Sequence, residues 1–381
     1  MANVLTNLAA DIYTAKDRVS RELTGMVASV TMNANGVDRV AAGDVVRSAV
    51  TPVATPGTLT FAMTIPEGTD QTIATKTVTM GVAKGVLIPW TGEDMRHVRN
   101  GNGYETIYGD QIAQAMRGLV NLYESDLVTA ANLGASRAYG TAGTTPFATQ
   151  GDLTDASLTL AILKDNGANP TGNQLVLNSQ AGGKFLGLQG RYNVQGNVEV
   201  QNQGVFSSTA GLDIRESSYI PTFTKGTGTS YTSSTAGFAV GATSIAIITG
   251  SGTVLAGDVV TFAGDTNKYI VATGVSGPGT IVLQEPGLRV ALPASAVAMT
   301  IGNTSTRNMC FNRSAIELIV RPPAMPDGGD AAVDAMTVID ERSGLPFEIR
   351  AYKGFGKAMF SVSAVWAVKV WKPEHTAILL G

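Results

Sequence analysis

The sequence is poor in the residues that most often carry metal or redox chemistry. Among its 381 residues there is one cysteine, Cys310, and there are two histidines, His97 and His375. A single cysteine excludes both an intrachain disulfide and a cluster of thiolate metal ligands. The two histidines lie in different segments, and neither has the spacing of a zinc motif. We therefore predict no metal site and no cofactor.

Signatures of catalysis are equally scarce. The sequence contains no G-x-S-x-G motif, and Cys310 lies in a β-prone run, which favours an inert buried thiol. A Ser-His-Asp or Cys-His arrangement stays open at this point, because the partners in such sites need not be adjacent in sequence. The overall pattern nonetheless predicts a protein that is not an enzyme and has no catalytic residues.

Charge is also low. Charged residues make up 15% of the chain and the formal net charge is −3, whereas soluble proteins average about 25% charged residues. Proteins that follow nucleic-acid phosphates are normally strongly basic, so binding of this kind is not expected. A soluble chain with so few charges suggests that part of its surface is covered, for example by other copies of itself.

Long apolar runs are missing as well. No stretch approaches 18 consecutive apolar residues, and residues 1–20 lack an apolar run after a basic start. Neither a membrane span nor a signal peptide is therefore predicted. We expect a chain that is made in a cytoplasm and stays soluble.

Four loose patterns come close to functional motifs without matching them. Gly182-Gly183-Lys184 lacks the preceding glycine and the following Ser or Thr of a phosphate loop. Gly226-Thr227-Gly228 has no third glycine in register and no helix after it. Asp340-Glu341-Arg342 is interpreted as a set of surface or subunit charge pairs. Four aspartates do not match a calcium loop, which favours a solvated acidic loop: Asp327, Asp330, Asp334 and Asp340.

The strongest structural signal is a long helix over residues 105–133. Apolar residues recur there at the i, i+3, i+4, i+7 spacing, proline is absent, and Gly134 stands where a C-terminal cap belongs. At about 1.5 Å per residue this helix would be roughly 40 Å long, and we interpret it as the spine of the fold. Asn121 and Glu124 are among the residues predicted on its polar side. Its apolar stripe consists of Ile112, Met116, Leu119, Val120, Tyr123, Leu127, Ala130 and Ala131.

Residues 4–26 form a second amphipathic segment. A helix so near a chain terminus must dock on something to be stable. Docking on its own domain and docking on a neighbouring subunit both remain open from the sequence. The apolar face of this segment consists of Leu5, Leu8, Ile12, Val19 and Leu23.

A long β-hairpin is predicted between this arm and the spine. Short strands at 27–32 and 44–50 precede it, with Asn35-Gly36 as a turn. Apolar and polar residues then alternate over 58–65, and the chain returns through 72–82 with a second alternation. An isolated two-stranded hairpin is only marginally stable in water. This hairpin therefore needs cover from its own body or from another molecule.

Shorter elements complete the main body. Residues 155–166 are predicted to form a helix with Asp155 as N-cap, residues 174–178 a buried strand, and Ser179 the cap of a further helix to Leu188. The segment 212–215 is strand-like. After residue 305 the predicted strands are 309–312, 316–321, 336–341, 347–352, 358–362 and 366–371.

The composition of the sequence changes at Lys225. Residues 226–236 are nearly all Gly, Thr and Ser, which is typical of a linker or exposed loop. Short β runs at close spacing and without helices then favour a small barrel or sandwich. Since the mixed pattern of the main body resumes afterwards, we predict an all-β domain inserted at 225–304. Its β runs are 244–248, 259–263, 269–273, 280–284 and 296–301.

Three stretches carry a family resemblance. They are the opening Met1–Tyr13, the run 167–188 with Leu175-Val176-Leu177-Asn178, and the ending from Ser343 to Glu374. They resemble the N-terminal arm, the apical helix-strand-helix and the peripheral strands of the major capsid proteins of tailed double-stranded-DNA bacteriophages. The likeness is greatest to the coat-protein subgroup with an inserted β-domain. It rests on the order of the parts along nearly the whole chain.

The resemblance implies the α+β Hong Kong-type capsid fold, with an N-terminal arm, an extended hairpin loop, a spine helix and an inserted barrel-like domain. Each part receives an expected range from the likeness. These ranges are an arm at 1–48, a hairpin loop at 50–85, a peripheral domain at 86–138 and 335–381, an axial domain at 139–224 and 305–334, and the insert at 225–304.

The implied function is that of a subunit of an icosahedral shell around double-stranded DNA. The implied partners are other copies of the chain, in hexamers and pentamers, with a portal protein and a possible decoration protein. Because the sequence starts directly at the arm, any scaffolding protein is expected to be separate. DNA would be enclosed without sequence-specific binding, and no membrane is involved. The virion, assembled in the host cytoplasm, is the expected location. The alternatives are an encapsulating nanocompartment shell or another non-enzymatic assembly or adhesion protein.

Overall fold

The computed structural model describes residues 24–50, 58, 61, 63, 74–99, 104–149, 152–192, 208–340 and 343–381. Within these ranges the helices are α1 (Gly25–Ser29), α2 (Gly92–Arg99), α3 (Tyr104–Gly134), α4 (Thr154–Asp165) and α5 (Ser179–Tyr192). Two short 3-10 turns lie at Arg313–Ala315 and Pro373–His375.

The strands alternate with these helices along the chain. Before the insert they are β1 (Thr31–Ala34), β2 (Val45–Val50), β3 (Ala74–Thr79), β4 (Lys84–Thr91), β5 (Arg137–Tyr139), β6 (Asn173–Leu177), β7 (Asp213–Glu216) and β8 (Thr222–Phe223). In the predicted insert they are β9 (Tyr231–Thr232), β10 (Ser244–Ile247), β11 (Thr253–Val254), β12 (Val259–Phe262), β13 (Lys268–Thr273), β14 (Val275–Ser276), β15 (Gly279–Leu283) and β16 (Ala298–Ile301). The last six are β17 (Ser305–Asn312), β18 (Ile316–Arg321), β19 (Ala332–Ile339), β20 (Pro346–Gly354), β21 (Lys357–Val370) and β22 (Thr376–Leu380).

The long helix predicted from the sequence is confirmed as α3, which has 31 residues. The apolar stripe is buried as expected, apart from the half-buried Ala130. In the middle of the helix the Tyr123 ring meets the Trp366 ring edge-on, with centroids 4.6 Å apart, and stacks on Phe347 at 6.2 Å. The prediction was wrong for Glu124, which is fully buried rather than on the polar side.

A six-stranded sheet lies against α3. Its strand order is β1-β18-β21-β20-β19, and β4 also pairs with β21. The residues predicted as two strands, 358–362 and 366–371, form the single 14-residue strand β21. Its first half pairs with both β4 and β20, and its second half pairs with β18.

The second large sheet of the described residues has twelve strands. Its longest path is β7-β6-β17-β22-β5-β13-β12-β16-β9. Strand β22 has five residues and was not predicted from the sequence. This strand is entirely buried, and it pairs antiparallel with β17 on one side and parallel with β5 on the other. Its short apolar run carries no turn signals or periodicity by which to distinguish it.

Several local predictions need correction. Val27–Ser29 were expected in a strand, but they belong to α1. Asp155 is not an N-cap, because it lies in the first turn of α4 and its carboxylate accepts a hydrogen bond from the Phe147 amide. For α5 the capping side chain is Asn178 rather than Ser179, since the Asn178 Oδ1 accepts the Ala181 N–H at 3.0 Å. The two capping differences concern only the first residues of helices, where boundaries commonly vary by about one or two residues.

The hairpin also pairs differently from the expectation. Ala74–Thr79 pairs antiparallel with Val45–Val50, so the base of the hairpin begins within the range assigned to the arm. The amphipathic segment 4–26 lies almost wholly outside the described residues. Most of the predicted first hairpin strand at 58–65 also lies outside them. The two strands β2 and β3 form a small sheet of their own, outside both large sheets.

Candidate assembly surfaces

The outer face of the six-stranded sheet, opposite α3, is covered by the base of the hairpin. Ile319, Val365 and Ala367 alternate with the core residues of their strands and therefore point away from the helix. They form a separate apolar cluster with Val78 and Met80, and this cluster also contains Val40. A further bond joins the Lys76 ammonium to the Trp371 carbonyl at 2.8 Å. The hairpin base is thus attached to its own body.

Beyond this base, the described hairpin residues make little contact with the body. Phe61 and Met63 are 96% and 107% exposed, which is rare for such large apolar side chains. The strand β4 beside the hairpin also exposes Val86 and Leu87. Leaving these groups in water is unfavourable by about 25 cal/mol per Å² of apolar surface. These exposed residues therefore mark a surface suited to contact with another molecule.

A charged network fastens the segment that precedes the hairpin. Glu348 is 1% exposed and accepts bonds from Arg350 at 2.7 Å and from Arg39 at 2.5 Å. Arg350 also pairs with Asp330 at 2.8 Å, and the Tyr352 hydroxyl donates to the same carboxylate. Because Glu348 alternates with the core residues of β20, this network lies on the outer face of the sheet. Buried charges are stable only when they are paired in this way.

The residues of the predicted insert have a core of their own but share a sheet with the body. Fifteen buried apolar residues between Tyr231 and Ile301 form one cluster. Yet β13 pairs with β5 through Lys268 with Ala138 and Tyr269 with Arg137. Since β5 in turn pairs with β22, the strands of this region continue the sheet of the body. They do not pair with the C-terminal strands directly.

Two buried arginines strengthen this junction. Arg137 is 5% exposed and donates to the Asn267 side chain at 3.0 Å and to the Ile162 carbonyl at 3.4 Å, so it joins the insert to α4. Arg307 is 1% exposed, donates to the Gly257 carbonyl at 3.1 Å and lies 4.5 Å above the Phe223 ring. Burial lowers the pKa of Arg307 to about 10, while the charge of Asp258 opposes this shift. Both guanidinium groups therefore hold the insert against the body of the subunit.

Of the residues that the sequence considered for chemistry, the structure describes the side chains of Cys310 and His375. Cys310 lies in β17 and is fully buried, as expected, and burial raises the pKa of its thiol to about 12. His375 lies half-buried in the last 3-10 turn, while the side chain of His97 is outside the description. Within the described ranges, no group of three or more His, Cys, Asp or Glu side chains is placed to hold a metal ion.

The loose motifs have structural explanations. Gly182-Gly183-Lys184 lies inside α5, and the Gly226 amide donates to the buried Asp258 carboxylate. Asp330 is paired with Arg350, as described above. Asp340 was expected at the surface, but it is fully buried and accepts a bond from the Ser343 hydroxyl at 2.5 Å. That prediction was wrong for Asp340, and Glu341 and Arg342 lie outside the described residues.

A cavity of about 210 Å³ lies between the loop after β5 and the start of α4. Two carboxylates line it, and each already accepts a backbone N–H: Asp152 from Thr154 and Asp155 from Phe147, both at 2.8 Å. The cavity walls thus stabilise the loop. Among the described residues, no helix is long and apolar enough to cross a bilayer.

The spine helix, the sheet behind it, the hairpin at its side and the second sheet together define the fold of phage major capsid proteins. No protein-family model and no curated protein matches the sequence. The capsid structure of the cyanophage P-SCSP1u is similar over 95% of this chain and 89% of that chain, with a TM-score of 0.51 and 11% sequence identity. The expected capsid fold is therefore confirmed, and at this identity the similarity concerns the fold alone.

Other solved structures match with lower scores. The capsid of a native GTA particle is similar over 95% of this chain and 91% of that chain, with 10% identity and a TM-score of 0.47. A structure of Mycobacterium phage Che8 is similar over 88% and 84%, with 11% identity and a TM-score of 0.42. The conclusion on the fold rests on the cyanophage structure.

Proposed function

We propose that this chain is the structural subunit of an icosahedral capsid shell that encloses double-stranded DNA. The observation that carries the proposal is a capsid fold whose hairpin base is attached to the body while Phe61 and Met63 are fully exposed. Large apolar side chains exposed in this way support contact with another protein surface. In a shell built from identical subunits, each copy supplies that surface to its neighbour.

The proposal extends to the partners and the location. Copies of the chain associate in hexamers and pentamers, together with a portal protein and a separate scaffolding protein, and a decoration protein is a further candidate. The net charge of −3 supports a lining that does not hold the packaged DNA by its phosphates. The shell belongs to the virion and assembles in the host cytoplasm. The role is structural, without a catalytic site.

The domain ranges given by the resemblance are part of the same proposal. The insert at 225–304 is assigned to a distinct unit because its apolar cluster lies wholly within that range. The pairing of its strand β13 with β5 supports an attachment of this unit to the rest of the subunit. We assign it the role of stabilising the subunit and contacting neighbours around a capsomer.

Electron microscopy of the expressed protein tests the proposed function. We expect closed shells of uniform diameter, alone or with a co-expressed scaffolding protein. Shells that contain a specific protein cargo and no DNA, in cells that carry the full set of viral genes, would instead support a nanocompartment. A chain that remains monomeric at high concentration, with and without scaffold, would contradict both.

A further inference from the structure

The chain before the hairpin passes from one face of the six-stranded sheet to the other. We call residues 24–44 the strap. Its first turn, α1, lies on the side of α3, and β1 then runs parallel beside β18. After β1 the strap lies on the outer face, where Val40 joins the apolar cluster with Val78 and Met80. The strap therefore joins the point where the chain arrives at Thr24 to the start of the hairpin at Val45.

A buried carboxylate holds the first end of the strap. Glu124 is fully buried in the middle of α3, and its two oxygens accept separate backbone N–H groups, from Met26 at 2.8 Å and from Val27 at 2.9 Å. These N–H groups stand at the start of α1, where a helix offers no partner of its own. Burial raises the pKa of Glu124 although the Ser217, Met26 and Val27 bonds oppose this shift. The burial of the Glu124 carboxylate therefore has a cost in folding free energy.

The surroundings leave this end of the strap little freedom. The Arg215 guanidinium donates to the Ala28 carbonyl at 2.6 Å and to the Ser29 hydroxyl at 3.1 Å. A Cβ atom at Gly25 would lie 2.5 Å from the Glu216 carbonyl oxygen, closer than any real contact. The first turn is therefore fixed between the spine helix and β7.

A second buried carboxylate holds the other end. The Glu348 side chain, 1% exposed, accepts from Arg39, whose second guanidinium nitrogen donates to the Pro323 carbonyl at 2.9 Å. A nearby turn closes through the Ala41 amide, which donates to Asp44 at 2.7 Å. The Met80 amide donates to the Asp44 carbonyl at 2.8 Å, which links the strap directly to the returning hairpin strand.

We propose that Glu124 and Glu348 are positioning residues for shell assembly, which hold the two ends of the strap and so fix where the chain arrives at Thr24 relative to the hairpin base. This inference rests on the proposed function. It assigns the strap the task of holding two expected contact segments, the chain before Thr24 and the hairpin, in a fixed position relative to each other. Preorganised contacts bind more strongly since less conformational freedom is lost on association.

Glu124→Gln tests the first end of the strap. An amide has one carbonyl oxygen, so it accepts only one of the two N–H groups and turns its own NH₂ donor toward the other. Asp126→Asn is the matched control: Asp126 lies on the same helix, but its carboxylate accepts from the Trp366 indole at 2.8 Å and not from the strap. We expect hydrogen exchange at Met26 and Val27 to be about tenfold faster in the Glu124 variant only.

The same two variants are then assembled and imaged. We expect Glu124→Gln to lose closed shells in favour of open or irregular products, whereas Asp126→Asn forms shells of wild-type diameter. Arg39→Met, which removes a half-exposed side chain and leaves the Glu348–Arg350 pair intact, should reproduce the assembly defect from the other end of the strap.

The outcomes separate the inference from the function on which it rests. Unchanged exchange at Met26 and Val27 in Glu124→Gln would overturn the role of Glu124, whatever the particles look like. Faster exchange together with normal shells would show an ordinary buried hydrogen bond and overturn the positioning role. If the wild-type chain formed no shells under any condition, the proposed function would fail, while the exchange measurement on the monomer would still test how Glu124 holds the strap.

Discussion

The hairpin and the insert are both built from β-strands, but they differ in how much of their apolar surface is buried within the chain. The insert surrounds fifteen buried apolar residues, and two buried arginines of the body lie at its junction. The hairpin has two strands, a buried Val78 at its base, and the exposed Phe61 and Met63. Strands become stable when both a face and an edge find partners. In the insert, both the faces and the edges of the strands are covered within the chain. In the hairpin, the chain covers only the base.

This difference assigns different roles to the two regions. Burial within one chain contributes to the free energy of unfolding, whereas apolar surface left uncovered contributes to association. We therefore expect changes in the insert to appear mainly in subunit stability and changes in the hairpin mainly in assembly.

The largest effect is expected from removing the outer hairpin. Val50 and Ala74 are paired at the end of β2 and β3, so an Asn-Gly turn can replace residues 51–73 and keep the base. We expect closed shells to be lost completely, because the exposed segment is gone, while the melting temperature of the monomer changes by only about 2 °C or less. If electron microscopy showed shells of wild-type form for this variant, the hairpin would have no role in assembly.

A smaller effect is expected from truncating the two apolar clusters. Ile281 is fully buried in the insert, so Ile281→Ala should lower the free energy of unfolding by about 2–4 kcal/mol. Val78→Ala at the hairpin base removes less buried surface and should cost about 1–2 kcal/mol. Urea unfolding of the monomers measures both. An equal or reversed order would contradict the view that the insert carries more of the stability.

The junction of the insert provides the next test. Arg307→Met keeps the length of the side chain but loses the bond to the Gly257 carbonyl and the contact with the Phe223 ring. We expect the free energy of unfolding of the full chain to fall by about 1–3 kcal/mol.

The segment 225–304 expressed alone lacks Arg307, and it should give a β-rich circular dichroism spectrum and a cooperative melt. A disordered fragment would show that the insert depends on β5 and the body for its fold.

The smallest effect concerns Cys310. Because burial raises the pKa of its thiol to about 12, the reactive thiolate is nearly absent at pH 8 in the folded chain. Labelling by a thiol reagent at that pH should therefore follow unfolding, where the thiol returns to its ordinary pKa near 8.5. We expect Arg307→Met to speed the labelling and the hairpin replacement to leave it unchanged. Fast labelling of the folded wild-type chain would contradict the burial of β17.

The periodic elements were predictable because their signal is local. The stripe of α3 and the buried run at β6 were both recognised from the spacing of apolar residues. The short strands of the insert were recognised from their turn residues. In these elements the side chains that decide the structure lie within a few positions of one another in the chain.

The candidate surfaces were predictable only in part. The hairpin was expected to need cover, and its fully exposed Phe61 and Met63 agree with that expectation. The strap was not foreseen, since Glu124 fits the polar side of α3 by its spacing and its partners Met26 and Val27 lie about a hundred residues before it in the chain. No spacing in the sequence encodes a contact of that kind.

By itself the sequence determined the spine helix, the buried strand β6 and the burial of Cys310, because composition and short-range patterns decide these features. Only the tertiary structure decided that β22 lies inside the second sheet, that β5 continues that sheet into the insert, and that a helix carboxylate holds the strap. Strand pairing and the burial of a charge are settled between residues far apart in the chain, where the free energy depends on which groups the fold brings together.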